Sequence, residues 1–177
     1  MDGTPIDAKS LRESICEMKE LDHSGVYKWW VPQEKFLAIL EKLNVAPSAI
    51  ESKIEKDKIE NQEVYCIYVG QAKNLKDRLK KHIGGCIENS TLRKSLGAIL
   101  WNGENSDGLK NKINEFMDGL FVEYEQVDEP DLDRVESSKI RSHLRILNME
   151  GFNHELFEKF IEDPLSCLRA KLKELKK

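Results

Sequence analysis

Apolar positions along this chain repeat with two periods, one suited to helices and one to strands. Leu11, Ile15 and Met18 recur at helical spacing and predict a helix over residues 9–21. Residues 25–31 (GVYKWWV) are β-branched and aromatic and predict a strand, which Pro32 ends. Phe36, Leu37, Leu40 and Leu43 return to helical spacing over residues 33–43. Residues 44–62 are polar and charged around Pro47, and read as a second short helix or a mobile excursion. VYCIYV at residues 64–69 is the clearest strand, stopped by Gly70.

Polar punctuation divides the second half. Asn74 is placed to cap a helix through Leu75, Leu79 and His82, with Gly84-Gly85 as its stop. Ser90 is placed to cap another over residues 91–100, and a turn-rich loop at 102–108 leads to a helical segment at 109–117. Residues 120–127 alternate as a third strand, and Pro130 and Asp131 open a helix running to about Leu147. Asp163-Pro164 begin a last helix striped by Leu165, Leu168, Leu172 and Leu175, an apolar face for its own core before a partner helix. Three strands separated by helices predict an α+β fold with helices packed on a small sheet.

Composition narrows the class. At 177 residues, 40% hydrophobic, the chain can bury one core of ordinary size, so a single domain over 1–177 is expected. There is no basic-then-apolar leader and no apolar run near ~18 residues, so neither secretion nor a membrane span is expected, and the expected location is cytoplasmic. Cys16, Cys66, Cys86 and Cys167 are scattered without a CxxC pair, and predict reduced, mostly buried thiols. The net charge of −4 argues against nucleic acid as a partner, but the charge is segregated. Between Lys73 and Lys81, Lys73, Lys76, Arg78, Lys80 and Lys81 face Asp77 alone, Arg93 and Lys94 follow, and the C terminus is basic again. Phosphate binding needs only such a local patch.

Three features carry candidate chemistry. In YCIYVGQAKNLKDRLKKH a strand turns into a helix whose start offers backbone N–H groups, with Arg78 a permanently charged fork and His82 four residues on along the same face. The plainer reading is a solvated basic helix. Glu136 shares a helix face with Leu132, Ile140 and Leu144, so its carboxylate needs a cation, a basic neighbour such as Arg78, or an escape to water. Tyr27 and Tyr68 stand near the ends of two strands, where aromatic residues are usually core.

Together these residues resemble the GIY-YIG nucleases. Gly25-Val26-Tyr27 and Tyr68-Val69-Gly70 look like the two name-giving motifs, and the likeness runs on through Ala72-Lys73-Asn74-Leu75, Arg78 and His82 at that family's spacing. Glu136 resembles its metal-binding glutamate, and Asn148, twelve residues later, falls where it often places an asparagine that closes the helix. The resemblance covers residues 24–148, leaving 149–177 as a C-terminal helical extension. It departs at residues 32–63, an insertion with helical content where the family has a short hairpin, and at Gln71, where many members carry a basic residue.

The resemblance implies a three-stranded mixed, mainly antiparallel sheet flanked by helices, and a divalent-metal-dependent endonuclease acting on nucleic acid, DNA more readily than RNA. It implies one Mg²⁺ or Mn²⁺ on Glu136, with Tyr27, Tyr68, Arg78 and His82 completing the catalytic set. Lys73, Asn74, Arg93 and Asn148 are the candidate substrate-binding residues, Arg93 by its likeness to a stretch found in some bacterial members. The alternative is a catalytically weak nucleic-acid-binding module that keeps the fold. Specificity is expected to come from the insertion, the tail, a homodimer or a partner protein.

Overall fold

The computed structural model describes residues 4–148 and 161–174. Five strands form one sheet: β1 (Ile6–Asp7), β2 (Gly25–Pro32), β3 (Lys56–Ile59), β4 (Gln62–Ala72) and β5 (Phe121–Gln126). Their order is β1-β5-β2-β4-β3 and every pairing is antiparallel. The expectation of three mixed strands is therefore corrected to five, all antiparallel. The three central strands are the ones the apolar pattern predicts, and the two additions are edges.

The edges escaped the pattern for physical reasons. β1 has only two residues. β3 (KDKI) is exposed except for Ile59, so it has no apolar face to show. A two-residue turn with positive φ at Glu60 (51°) and Asn61 (66°) joins it to β4, the backbone of a tight hairpin connection. Residues 44–62 are thus not an excursion: they hold α3 (Pro47–Ile50), a 3-10 turn and an edge strand.

The helices form where caps and apolar spacing agree. α1 (Ala8–Ser14) is capped by the Asp7 carboxylate on the Ser10 amide. It stops short of the expected 9–21 span: the Ser14 hydroxyl donates to the Ser10 carbonyl, and the chain turns before a 3-10 turn at Lys19–Leu21. α2 (Gln33–Leu43) buries Phe36, Ile39, Leu40 and Leu43 and ends at Asn44 in the left-handed region. α4 (Leu75–Gly84), α5 (Thr91–Leu100) and α6 (Ser106–Asp118) are capped by the side chains of Asn74, Ser90 and Asn105. α7 (Leu132–Ser142) follows a 3-10 turn at Glu129–Asp131, and α8 (Asp163–Glu174) closes the described chain.

α7 ends five residues before its apolar spacing does. The segment after it instead covers the edge of β4 beyond the reach of β3. The Leu144 amide donates to the Lys53 carbonyl, and the Leu147 amide to the Ile67 carbonyl. Leu144, Ile146 and Leu147 are fully buried there. Tertiary pairing outweighs helical periodicity at this point.

The sheet separates two apolar clusters. One face carries Tyr27, Trp29, Val31, Tyr65, Ile67 and Tyr68 against the helices of the main core. The other carries Val26, Trp30, Val64, Cys66 and Val69 under Leu132 and Ile140 of α7. An irregularity in the β2–β4 register, opposite Trp29 and Trp30, lets Tyr68 and Tyr65 face the same core although three residues apart. In α8, Leu165 is buried and Leu168 half-buried, while the side chains of Leu172 and Leu175 lie outside the described residues. Of the cysteines only Cys66 is buried; Cys16, Cys86 and Cys167 are exposed free thiols, correcting the expectation of mostly buried ones.

Candidate active site

Tyr27 on β2 stands opposite Gly70 on β4, and Trp29 opposite Tyr68. The absent side chain of Gly70 is what makes room here. A Cβ at Gly70 would overlap the Tyr27 hydroxyl and come within 3.0 Å of the Tyr68 ring. Tyr27 and Tyr68 stack with ring centroids 6.4 Å apart and planes 26° from parallel. Both are almost wholly buried, as the plainer reading of strand aromatics expects, yet their hydroxyls meet polar partners.

α4 supplies those partners. The Asn74 cap fixes where the helix begins, its side-chain oxygen accepting the Asp77 amide at 2.9 Å. One turn in, the half-buried Arg78 donates from Nε to the Tyr27 hydroxyl at 3.1 Å and from Nη1 to the Asn89 carbonyl at 3.5 Å. Its charge also acts on Tyr68. Four residues on, His82 is fully buried with Nε2 2.8 Å from the Tyr27 hydroxyl. Its other nitrogen, Nδ1, lies 2.7 Å from the Ser90 hydroxyl.

Glu136 approaches from α7 and is half-buried. It interacts electrostatically with Tyr27, Tyr68 and Arg78. Gln71, on the β4 face that α7 covers, donates from Nε2 to Asp133 at 2.6 Å and favours the ionised form of Glu136. Tyr27, Tyr68, Arg78, His82 and Glu136 are therefore brought together from β2, β4, α4 and α7.

Burial sets the electrostatics of this group. Desolvation pushes Tyr27 well above the ordinary phenol value, with neighbouring Tyr68 adding to the shift and Arg78 opposing it. Tyr68 is raised by burial in the same way. His82 is pushed well below the ordinary imidazole value by desolvation, then by Arg78 and Arg93, so its ring is neutral at pH 7. Glu136 is raised by desolvation and by Asp133, against hydrogen bonds from Gln71 and the charge of Arg78. This is a carboxylate whose surroundings leave it short of positive charge.

The four candidate substrate-binding residues fall elsewhere. Lys73 stands at the surface with its ammonium 3.0 Å from Glu129, a pair that water screens heavily. Asn74 is occupied as the cap of α4. Arg93 is fully buried, not on the surface: its guanidinium donates to the His82 carbonyl and to Asn114, each at 2.9 Å. Asn148 does not close α7. Its side chain accepts from the Val69 amide at 2.9 Å and donates to the Val69 carbonyl at 2.7 Å, pairing with the β4 edge as a strand residue would. Arg93 and Asn148 therefore hold the scaffold under His82 and Tyr68.

Two contributors were not singled out from sequence. Ser90 reads only as a helix cap, since nothing local shows that its hydroxyl also meets a histidine on the preceding helix. Gln71 stands out as a departure from a basic residue, but its link to α7 spans 62 positions.

The comparisons agree with this geometry. The GIY-YIG catalytic domain matches residues 25–171. Neither the search of curated proteins nor that of solved structures returned a match. With both motif tyrosines facing one core and most of the chain inside that single match, the chain belongs to the GIY-YIG family of endonuclease-type hydrolases.

Proposed function

We propose that the protein is a divalent-metal-dependent endonuclease that hydrolyses phosphodiester bonds in nucleic acid, DNA more readily than RNA, in the cytoplasm. The observation that carries this reading is the meeting of two tyrosines, an arginine and a cation-poor carboxylate at one end of β4.

A divalent ion suits the donors present. Among the described residues no three His, Cys, Asp or Glu side chains are gathered as a metal site, so a closed tetrahedral zinc centre has no ligand set. Glu136 offers a hard oxygen donor, which matches Mg²⁺ or Mn²⁺ binding through one carboxylate, retained water and substrate phosphate. When bound, such an ion would supply Lewis-acid polarisation of the scissile phosphate and charge stabilisation at the leaving 3′ oxygen.

The chain's own residues divide the rest. Arg78, permanently charged, stabilises negative charge on the pentavalent phosphate. Tyr27 helps deprotonate the attacking water; burial opposes its ionisation, and the Arg78 hydrogen bond favours it. Tyr68 and His82 hold the hydroxyl of Tyr27 and the incoming oxygen in place. Lys73, Lys80 and Lys81 present positive charge along and beside α4, where a phosphate backbone would approach. Residues 32–63, the stretch that departs from the family pattern, would then serve substrate reading or a partner, with a homodimer as one such partner.

The upward shift of the buried Tyr27 favours the second reading, a nucleic-acid-binding module of weak catalysis. A cleavage panel separates the two. Duplex, single-stranded and branched DNA and RNA are incubated with wild type and Glu136→Ala, with Mg²⁺, Mn²⁺ or chelator. Ion-dependent products from wild type alone support the endonuclease. Salt-sensitive binding without cutting supports the module.

A further inference from the structure

Gln71 stands on β4 opposite Val26, one position past the Gly70 that makes room for the tyrosines. Side chains alternate along a strand, so Gln71 projects to the face that α7 covers. There its Nε2 donates to Asp133 Oδ1 at 2.6 Å. Asp133 and Glu136 are three residues apart on α7 and so neighbours on one side of the helix. The bond joins the strand that carries Tyr68 to the helical turn that carries Glu136.

Other contacts leave that turn loosely specified. Asp131, at the start of α7, makes no capping hydrogen bond and is paired with Arg134 of the same helix. Lys73 reaches Glu129 at 3.0 Å just before the helix, but both side chains are more than half exposed and water screens the pair. Leu132 and Ile140 pack on Val26 and Val69, an apolar contact that holds the helix down without fixing how it slides or turns. Beyond Glu136, Lys139 meets Glu125 of β5 at 2.8 Å. Glu136 therefore lies midway between two polar ties to the sheet, one through Asp133 and one through Lys139.

We propose that Gln71 is a positioning residue for the metal site: by holding Asp133 it fixes the turn of α7 from which Glu136 reaches the end of β4 beside Tyr27 and Tyr68. An exposed hydrogen bond adds little to stability, so its consequence lies in where it holds the helix. The inference rests on the reading of Glu136 as the ligand of the divalent ion.

The test is a direct Mn²⁺ titration of the full chain, followed by the electron paramagnetic resonance signal of the free ion. Wild type is compared with Gln71→Ala, Gln71→Met, Asp133→Ala and the Gln71→Ala/Asp133→Ala double variant, with Glu136→Gln as the reference for a lost ligand. Gln71→Ala removes the bond and leaves every charge in place. It is expected to weaken Mn²⁺ binding roughly 10-fold, and Gln71→Met, which keeps the length but not the donor, to match it. Both are expected to melt in chelator within about 2 °C of wild type, because the apolar stripe and the Lys139–Glu125 pair keep the helix docked. In the Asp133→Ala background, Gln71→Ala is expected to change the affinity no further. Unchanged or tighter Mn²⁺ binding in Gln71→Ala overturns the inference, tighter binding meaning that the freed Asp133 carboxylate joins Glu136 as a ligand. An equal loss in both backgrounds overturns it too, since the effect would not pass through Asp133. Glu136-dependent binding that Gln71→Ala does not weaken ends this inference alone, whereas Mn²⁺ binding that survives Glu136→Gln intact ends the reading of Glu136 as the ligand and this inference with it.

Discussion

At the scale of single residues, the site is a set of groups held away from their ordinary ionisation, and each shift has a consequence for stability. The folded pKa of Glu136 lies above its unfolded value because burial and Asp133 disfavour the carboxylate. Its contribution to stability is therefore present at acid pH and is lost as the pH rises through that folded value. Two results follow at neutral pH. Glu136→Gln is expected to melt at a higher temperature than wild type in chelator. Added Mn²⁺ is expected to raise the wild-type Tm and leave that of the variant unchanged, by ligand linkage. Thermal denaturation with and without the ion reads both, and equal ion-induced shifts in the two proteins would remove Glu136 as the ligand.

His82 carries the opposite sign. Its folded pKa is depressed by burial and by two arginines, so the unfolded chain takes up a proton near ~6.5 that the folded protein refuses. The stability it contributes is full above that value and falls as the pH drops toward the folded one. His82→Gln removes this linkage. The stability gap between wild type and variant in urea denaturation is expected to narrow between pH 7 and pH 5, whereas a constant gap would mean a ring that titrates alike in both states.

At the scale of elements, the edge of β4 is the hinge of the architecture. Asn148 pairs both polar groups of Val69, and the Leu147 amide caps the Ile67 carbonyl. That places Tyr68 and Gly70 at a fixed height beside Tyr27. Asn148→Ala leaves a buried N–H and C=O without partners, at an expected cost of about 1–3 kcal/mol in urea denaturation. A loss below measurement error would mean that the edge is held by its apolar neighbours alone. This element also shows where sequence reading reaches its limit. β2, the centre of β4, β5 and α2 are legible from their apolar period, and the starts of α4 and α5 because that period coincides with a cap residue. The exit of α7 at Ser142 is not, because Leu144 keeps helical spacing while its amide pairs with Lys53, 91 residues earlier. β3 is illegible for the opposite reason: an exposed charged edge has no pattern to read. Among the site residues, Tyr27, Tyr68, Arg78, His82 and Glu136 could be gathered because motif spacing carries them. The burial of Arg93 and the second partner of His82 depend on contacts between helices that no local spacing records.

At the scale of the whole molecule, positive charge is concentrated along a few segments of an acidic chain. The chain is acidic overall, yet Arg78 meets the tyrosine pair and its helix carries Lys76, Lys80 and Lys81. No helix among the described residues is long and apolar enough to cross a membrane. In the proposed reaction an approaching phosphate backbone would meet the half-buried arginine and the cation-poor glutamate. The measurement that tests this account most directly is the single-turnover rate of phosphodiester cleavage by wild type and Glu136→Gln, in saturating Mg²⁺ or Mn²⁺ and in chelator. The expected result is a wild-type rate that needs the ion and falls by at least about 100-fold in the variant. Cleavage that proceeds at equal rates in the two proteins, or in chelator, would contradict it.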